Sequence, residues 1–254
     1  MTIVILGSGN VATHIGKAFH ALGHQISQVY SRNKANANAL ASVLNADAVD
    51  VVSEITDRAD LYFIAVADQA IQQIVDMLPK SVKGIVVHCS GATDINVLAH
   101  FPLYGVVYPA QSLRKDISTS LENIPFGIEG ANTEISGRLL ELMRHISAKS
   151  FLCDSEQRLA LHIAAVFVNN FSNVLFQTAY NIMEEQNLSF DLLKPIILET
   201  AQNVQKQIPK DVQTGPAMRG DTETIKKHLQ FLMKNPYWLK IYQQLTEEII
   251  RNKG

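Results

Sequence analysis

The chain begins with MTIVILGSGNVA (residues 1–12), and this stretch decides the fold class. The short apolar run Thr2 to Leu6 predicts a buried strand, and a glycine turn follows it directly. The turn matches the dinucleotide-binding fingerprint, with alanine in the third small position, over Gly7-Ser8-Gly9-Asn10-Val11-Ala12. The glycines permit a tight turn and close approach of a pyrophosphate, and the helix N-terminus behind them offers free N–H groups. A tight turn without a ligand is the alternative.

Outward from this turn, the first half alternates short apolar runs with helical patterns. This alternation predicts an α/β Rossmann-like domain over residues 1–153, with a mostly parallel sheet and helices on both faces. The pattern changes at Asp154, because residues 155–186 contain no glycine or proline and show apolar residues at helical spacing. Three further helices are predicted after it. We therefore expect an all-helical second domain over residues 154–254.

The composition excludes several function classes. Lys and Arg total 22 against 24 Asp and Glu, and the resulting net charge of −2 argues against a nucleic-acid or polybasic membrane binder. Only two cysteines occur, which excludes a disulfide scaffold and favours a cytoplasmic location. We expect no apolar run near the roughly 20 residues that span a bilayer. We also expect no metal site, since Gly23 breaks the helix between His20 and His24.

The end of the second strand indicates which nucleotide binds. An NAD site places an acid about 20 residues after the glycines. Here the segment VYSRNK (residues 29–34) has none. Arg32 and Ser31 could bind a 2′-phosphate, with Lys34 adding charge, which favours NADP(H) over NAD(H); a solvated basic loop is the alternative. After the next strand, the small residues Ala65-Val66-Ala67 would let the cofactor lie flat, and Asp68 is interpreted as a helix cap.

Three polar residues are candidates at the reacting end. Ser90, in a turn after a predicted strand, could bind a substrate carboxylate or the nicotinamide amide; a plain turn is an equal alternative. In the helical half, His162 and Asn169, with Asn170, interrupt an apolar stretch and fall near one helix face. His162 is a candidate proton donor, or a histidine satisfied in the core or at an interface.

These segments also carry a family resemblance. The chain resembles the 6-phosphogluconate dehydrogenase-like superfamily, which includes pyrroline-5-carboxylate reductase. It is similar in particular to an uncharacterised bacterial family that joins a Rossmann-like NADP-binding domain to a helical domain of unknown function. The segments that carry the resemblance span nearly the whole chain: GSGNVA (7–12), SRNK (31–34), HCSGA (88–92), YPAQS (108–112), HIAAVFVNN (162–170) and GPAMRGD (215–221).

The resemblance implies an NADP-dependent oxidoreductase. Hydride would pass between NADP(H) and a C=O or C=N carbon of a small, anionic substrate bound between the domains. The helical domain would bind substrate and form a homodimer. His162, Asn169 and Ser90 would hold the reacting group.

One departure from the family pattern leaves alternatives open. The β-hydroxyacid dehydrogenases carry a catalytic lysine three residues before an asparagine on the long helix. If Asn169 matches that asparagine, Val166 stands in the lysine position and cannot donate a proton. Either His162 takes that role or the chemistry differs. The alternatives are a non-catalytic NADP(H)-binding sensor dimer and a reductase that uses a deazaflavin coenzyme.

Overall fold

The structure, a computed structural model, describes residues 1–253. Backbone contacts divide the chain into two compact units, the first over Met1–Asn169 and the second from Asn170 onward. The change from α/β to all-helical structure falls at Asp154, which caps the helix beginning at Ser155. The division into units falls later, within that continuous helix. The domain boundary after residue 153 therefore stays a prediction.

The first unit is built on one eight-stranded sheet in the order β3-β2-β1-β4-β5-β6-β7-β8. All neighbouring strands are parallel except β6 and β7, which are antiparallel. The first six strands follow the 3-2-1-4-5-6 order of dinucleotide-binding folds. The strands are β1 Thr2–Leu6, β2 Gln25–Tyr30, β3 Asp47–Val49, β4 Leu61–Ile64, β5 Ile85–His88, β6 Tyr104–Pro109, β7 Phe126–Gly130 and β8 Phe151–Leu152.

Three of the five helices of the first unit begin at polar caps that the sequence provides. The Asn33 and Asn132 side chains accept backbone N–H groups at the starts of α2 and α4, and Asp154 forms a capping box with Gln157 at α5. The helices are α1 Asn10–Ala21, α2 Lys34–Leu44, α3 Asp68–Met77, α4 Thr133–Arg144 and α5 Ser155–Ala165, with short 3₁₀ turns at Val52–Glu54 and Ile95–Leu98.

The core of the first unit lies on both faces of the sheet. Alternate residues of β1 point to opposite faces, so that Ile3 and Ile5 join one apolar cluster while Val4 and Leu6 join another. All four of these side chains are completely buried. The predicted α/β Rossmann-like fold class, followed by an all-helical region, is confirmed.

The second unit consists of helices and short 3₁₀ turns. A six-residue π-helical turn, Val166–Phe171, connects α5 to the first of these helices. Among the described residues of this unit, only Ala217 and Leu232 are buried. The elements are α6 Ser172–Glu185, α7 Lys194–Lys206, α8 Pro216–Arg219, α9 Thr222–Leu232 and α10 Pro236–Arg251, with 3₁₀ turns at Phe190–Leu193 and Pro209–Val212.

The long helix is more apolar than the sequence analysis expected. The continuous helical segment Ser155–Glu185 has 31 residues and a stretch with mean hydropathy 1.5, so by length and composition it could cross a membrane. None of that stretch is buried. The expectation that no apolar run approaches a bilayer span was wrong in this respect, because the polar residues of the segment are mostly uncharged.

Candidate functional site

The turn after β1 requires glycine at its first position. Gly7 has φ +135°, and a Cβ atom there would lie 2.1 Å from the carbonyl oxygen of Ala65. Gly9, the residue before α1, has open space where a Cβ atom would stand. No side chain caps this helix N-terminus, so its first N–H groups are available to an anion. The geometry is therefore that of a phosphate-binding turn.

A cavity of about 600 Å³ opens beside this turn. It brings together most of the predicted cofactor residues, and its lining contains no Asp or Glu. Ser8 Oγ donates to Ser31 Oγ at 2.9 Å, which joins the glycine turn to the end of β2. The predicted residues that line it are Gly7, Ser8, Gly9, Ser31, Arg32, Ala65, Val66 and Ala67.

Two basic residues follow β2, and only one remains available to a ligand. The Lys34 ammonium group pairs with Asp50 at 2.9 Å and donates to the carbonyl oxygen of Ala48, so the suggested contribution of Lys34 to a 2′-phosphate site is not supported. Arg32 is exposed and lines the cavity, and it makes no ion pair within residues 1–253. The basic contribution to the cavity therefore comes from Arg32.

Two predicted cofactor residues, Asn10 and Val11, do not line this cavity. Asn10 Oδ1 accepts the backbone N–H of Lys115 at 3.0 Å, and Val11 packs against the apolar core. Their side chains are thus engaged elsewhere, and only their backbone N–H groups, in the first turn of α1, could contribute to an anion site. Asp68 is the first residue of α3 and not its cap, since Ala67 holds the cap position.

The loop after β5 is held internally. Ser90 is buried, and its Oγ accepts the backbone N–H groups of Ala92 at 3.2 Å and Thr93 at 2.9 Å. The Ser90 N–H donates to Nδ1 of His88, which is completely buried. Ser90 does not line the cofactor cavity, so its predicted contacts with cofactor or substrate find no support in this geometry. The turn interpretation accounts for its hydrogen bonds.

Burial also fixes the protonation of the two residues before Ser90. Burial, with a smaller effect from the Arg158 charge, lowers the pKa of His88 to about 4, so the imidazole is neutral at pH 7. Burial, reinforced by Asp68, raises the pKa of Cys89 to about 12. The thiol therefore stays protonated, and neither side chain is poised for acid–base or nucleophilic chemistry.

Arg158, on α5, ties the helix to this loop. It is only 1 % exposed, and one terminal nitrogen donates to the carbonyl oxygens of Ser90, Gly91 and Thr93 at 3.1, 3.3 and 2.9 Å. The other donates to Glu129 Oε2 at 3.0 Å and to Ser155 Oγ at 2.8 Å. This residue was not predicted from the sequence; the available signal was an arginine one helical turn before His162.

His162 lies against the same loop. A Cβ atom at Gly91 would stand 2.6 Å from Cγ of His162, so glycine is required for the ring to pack there. His162 Nδ1 lies 3.1 Å from the hydroxyl oxygen of Tyr108, and the two rings meet edge to face. Tyr108 is near the carboxyl end of β6, the edge of the sheet where ligands of such folds bind. The segment YPAQS (108–112) carries part of the family resemblance, but its sequence assigns no role to Tyr108.

The π-helical turn places Asn169 at the same strand end. Asn169 Nδ2 donates to Oγ of Ser112, four residues after Tyr108. A π turn hydrogen-bonds residues five apart, so it changes which residues share a helix face, and such turns are frequent at functional sites. His162 thus lies at the carboxyl end of β6, and Asn169 at the segment that follows it. Asn170 is exposed and belongs to the second unit.

The described chain offers no metal centre. No group of three or more His, Cys, Asp or Glu side chains that could hold a metal ion occurs within residues 1–253. A second cavity, of about 630 Å³, lies between α1 and the loop at residues 115–122. It contains none of the predicted site residues.

Comparison with known proteins identifies both halves of the chain. Residues 2–91 match the family described as NADP oxidoreductase, coenzyme F420-dependent. Residues 124–249 match a domain of unknown function, DUF2520. No match was found among proteins with curated descriptions.

Solved structures extend the comparison over the whole chain. A Bacteroides fragilis protein with a presumed NADP oxidoreductase activity is 36% identical, with TM-score 0.87 and 98% of both chains covered. A Thermotoga maritima protein is 22% identical, with TM-score 0.83 and 99% of both chains covered. Pyrroline-5-carboxylate reductase from Streptococcus pyogenes is 14% identical, with TM-score 0.67, covering 99% of this chain and 98% of that one, and it shares the fold alone.

The predicted resemblance is therefore confirmed, and the predicted cofactor, NADP(H), agrees with that of the family. The chain belongs to the family of NADP oxidoreductases in which a domain of the coenzyme F420-dependent type precedes a DUF2520 domain.

Proposed function

We propose that this protein transfers a hydride between NADP(H) and a C=O or C=N carbon of a small substrate. The observation that carries the proposal is the cavity beside the glycine turn, which has an unpaired arginine, Arg32, and no acid in its lining. An acid would favour the ribose hydroxyl groups of NAD, whereas an arginine favours the 2′-phosphate of NADP. The uncapped start of α1 suits the pyrophosphate.

The residues at the carboxyl end of β6 suit the proton transfer that accompanies hydride transfer. NADPH supplies a hydride when it is bound. His162 would give the proton that the substrate oxygen or nitrogen needs, and Asn169, held by Ser112, would orient that atom. Ser90 would support this site through its loop and not through its hydroxyl group.

The charge of the substrate decides which compounds a substrate panel should contain. An anionic substrate is implied by the family resemblance. Arg158 is the buried arginine nearest to His162 along α5. Its two terminal nitrogens donate to backbone carbonyl groups, to Ser155 and to Glu129, whose carboxylate pairs with its charge, and its buried Nε has no hydrogen-bond partner within residues 1–253. It therefore supplies no charge to a substrate carboxylate, and a substrate panel should include uncharged ketones and imines beside keto acids.

Calorimetric titration with NADPH and with NADH tests the cofactor assignment. We expect NADPH to bind more tightly, and Arg32→Ala to weaken NADPH by roughly 10- to 100-fold with little effect on NADH, because charge-assisted hydrogen bonds to phosphate are lost. Lys34→Ala is the matched control, since its ammonium group pairs with Asp50. It should leave the ratio of the two affinities unchanged.

Gly9→Trp completes the test. A side chain at position 9 projects into open space, so the variant should fold and yet block the pyrophosphate position. Loss of NADPH binding in this variant supports the proposed site. Absence of binding of either nucleotide to the unmodified protein would overturn the proposed function.

Two observations favour alternative functions. The match of residues 2–91 to a coenzyme F420-dependent family favours a reductase that exchanges hydride between NADP(H) and a deazaflavin. Preferential reduction of a deazaflavin by NADPH, over every ketone and imine of the panel, would establish it. If Asn169 matches the asparagine of the β-hydroxyacid dehydrogenases, Val166 stands in their lysine position, and the missing lysine favours a non-catalytic NADP(H) sensor. NADPH-dependent assembly without turnover of any acceptor would establish that function.

We also propose that the second unit forms a homodimer. Its helices expose large apolar side chains, among them Phe176 on α6 and Ile196 on α7. The same long helix carries uncharged polar groups, such as the Gln177–Asn181 hydrogen-bonded pair, which are costly in lipid and tolerated at a protein interface. We therefore propose that a second copy of the chain packs against these exposed apolar side chains. The cytoplasmic location stays a prediction.

A further inference from the structure

We propose that Tyr108 is a positioning residue for proton transfer at His162. Its hydroxyl group donates to Nδ1, holds the imidazole in the tautomer with hydrogen on Nε2, and replaces the proton that Nε2 gives to the substrate. The inference rests on the proposed function, because it requires a hydride acceptor beside Nε2.

The geometry of the pair supports this assignment. The Tyr108 hydroxyl oxygen and His162 Nδ1 are 3.1 Å apart, within hydrogen-bond range. The ring centroids lie 5.8 Å apart at an interplanar angle of 84°. A hydrogen bond at Nδ1 determines which nitrogen carries the remaining proton, so this contact specifies the group that the ring presents through Nε2.

Tyr108 and His162 differ in how firmly the surrounding structure holds them. Tyr108 is part of β6, paired with Gly127 of β7, and only 7 % of it is exposed. His162 is half-buried on α5, between the loop at Gly91 and the phenol ring, with Arg158 fastening the helix one turn earlier. Tyr108 is therefore held in place by the sheet and determines the orientation of the His162 ring. His162, which is partly exposed, is the member of the pair that can contact a substrate.

Electrostatics keeps the proton on the phenol. Burial raises the pKa of Tyr108, Asp68 acts in the same direction, and Arg158 opposes both. The hydroxyl group is thus protonated at neutral pH and available as a donor. The same Arg158 charge favours the phenolate that forms briefly during transfer.

The proposed step balances in atoms and charge. The hydride adds to the substrate carbon, and the π-electron pair of the C=O or C=N bond moves to the heteroatom. The N–H bond at Nε2 breaks as the heteroatom takes its proton, and the phenol proton passes to Nδ1. His162 ends neutral with hydrogen on Nδ1, and Tyr108 ends as a phenolate. The Nδ1 proton then returns to the phenolate oxygen as water gives a proton to Nε2, which restores both groups and leaves hydroxide.

The chain contains a matched control pair in its second unit. His228 Nδ1 lies 2.8 Å from the Tyr242 hydroxyl oxygen, with ring centroids 5.6 Å apart at 84°. Tyr242→Phe therefore removes the same chemical contact from a histidine that has no part in the proposed site.

The test is ¹⁵N NMR of the histidine rings in the full chain, at a pH where both imidazoles are neutral, without added nucleotide. We expect His162 to show Nε2 bearing hydrogen and Nδ1 as a hydrogen-bonded acceptor. Tyr108→Phe should move the His162 Nδ1 signal to the position of a free imidazole and leave His228 unchanged, and Tyr242→Phe should do the reverse. A His162 ring with hydrogen on Nδ1, or one that does not respond to Tyr108→Phe, would overturn the proposal.

A second measurement tests the proposal even if Tyr108→Phe does not fold. Incorporation of 3-fluorotyrosine makes the phenol a stronger donor without deleting it, so the His162 Nδ1 signal should shift further towards that of a protonated nitrogen. An unshifted signal overturns the proposal. Calorimetry with NADPH on the same samples separates the two hypotheses. NADPH binding with the wrong tautomer disproves only this inference, and the expected tautomer without nucleotide binding disproves the proposed function.

Discussion

The two units of this chain treat their apolar residues differently. In the first unit, both faces of the sheet are covered, and side chains such as Phe63 and Ile15 are completely buried. In the second, α6, α7 and α10 bury no residue at all. Since burial of apolar area supplies most of the favourable free energy of folding, the first unit has a large apolar core of its own, whereas the exposed apolar residues of the second unit are the basis for the proposed partner copy. The three predictions below test this difference.

The largest expected effect is on the stability of the first unit. Arg158→Met leaves Glu129 without its cationic partner, although the Ser155 hydroxyl group still donates to it, and removes a donor from three loop carbonyl groups. Removal of one member of a buried ion pair costs about 3–5 kcal/mol. The free energy of unfolding from denaturant titration measures it. Arg138→Met is the matched control, because its ion pair with Glu134 is exposed and 4.0 Å long. That control should change stability by less than about 0.5 kcal/mol. An equal effect of both changes would show that the buried ion pair stabilises the protein no more than the exposed one.

The next effect concerns the second unit and its proposed partner copy. Val174 is 53 % exposed on α6. Val174→Glu would place an unpaired charge in the proposed dimer interface and weaken the dimer at least about a hundredfold, roughly 2.7 kcal/mol. Light scattering over a range of concentrations measures the mass. Asn173→Glu adds the same charge at an exposed polar position of the same helix and should leave the dimer intact.

Two results would contradict that prediction. If the unmodified protein is monomeric, a second copy does not pack against this surface and the proposed homodimer is wrong. Association of the unmodified protein with lipid vesicles, lost in Val174→Glu, would assign the surface to a membrane instead.

The smallest of the three effects is a pH dependence that belongs to the first unit. The pKa of His88 is about 4 in the folded protein against 6.5 ordinarily, so the unfolded chain binds a proton that the folded one does not between these values. Stability is therefore lost as pH falls from about 6.5 towards 4, by about 2 kcal/mol between pH 7 and pH 5. Denaturant unfolding at both pH values checks this. His88→Asn should lose that part of the pH dependence, whereas His228→Asn, at an exposed position, should keep it.

The parts of the fold that the sequence predicts are those decided by local patterns. The glycine turn, the strand before it and the change at Asp154 depend on neighbouring residues, and the structure has them where expected. The strand β3, Asp47–Val49, escaped prediction because three residues are too few to show a period. The antiparallel direction of β7 could not be read either, since strand direction follows from the path of the chain between strands and not from side-chain alternation.

The candidate site divides in the same way. The glycine turn and Arg32 were identified from short motifs. Arg158 and Tyr108 were missed because their roles depend on distant contacts, with the loop after β5 and with His162. For Ser90 the sequence left two interpretations open, and only the hydrogen bonds within its loop favour the turn.

The π-helical turn at Val166–Phe171 affects how this chain should be aligned with its relatives. In an α-helix, positions three or four apart share a face, but an i→i+5 turn carries one residue more and shifts every later position by one. The match of Val166 with a lysine three places before an asparagine therefore holds only for a relative whose helix makes the same turn. In an alignment with a relative whose helix is regular there, a gap of one residue belongs at this turn, and without it Asn169 and every residue of α6 would be compared with the wrong column.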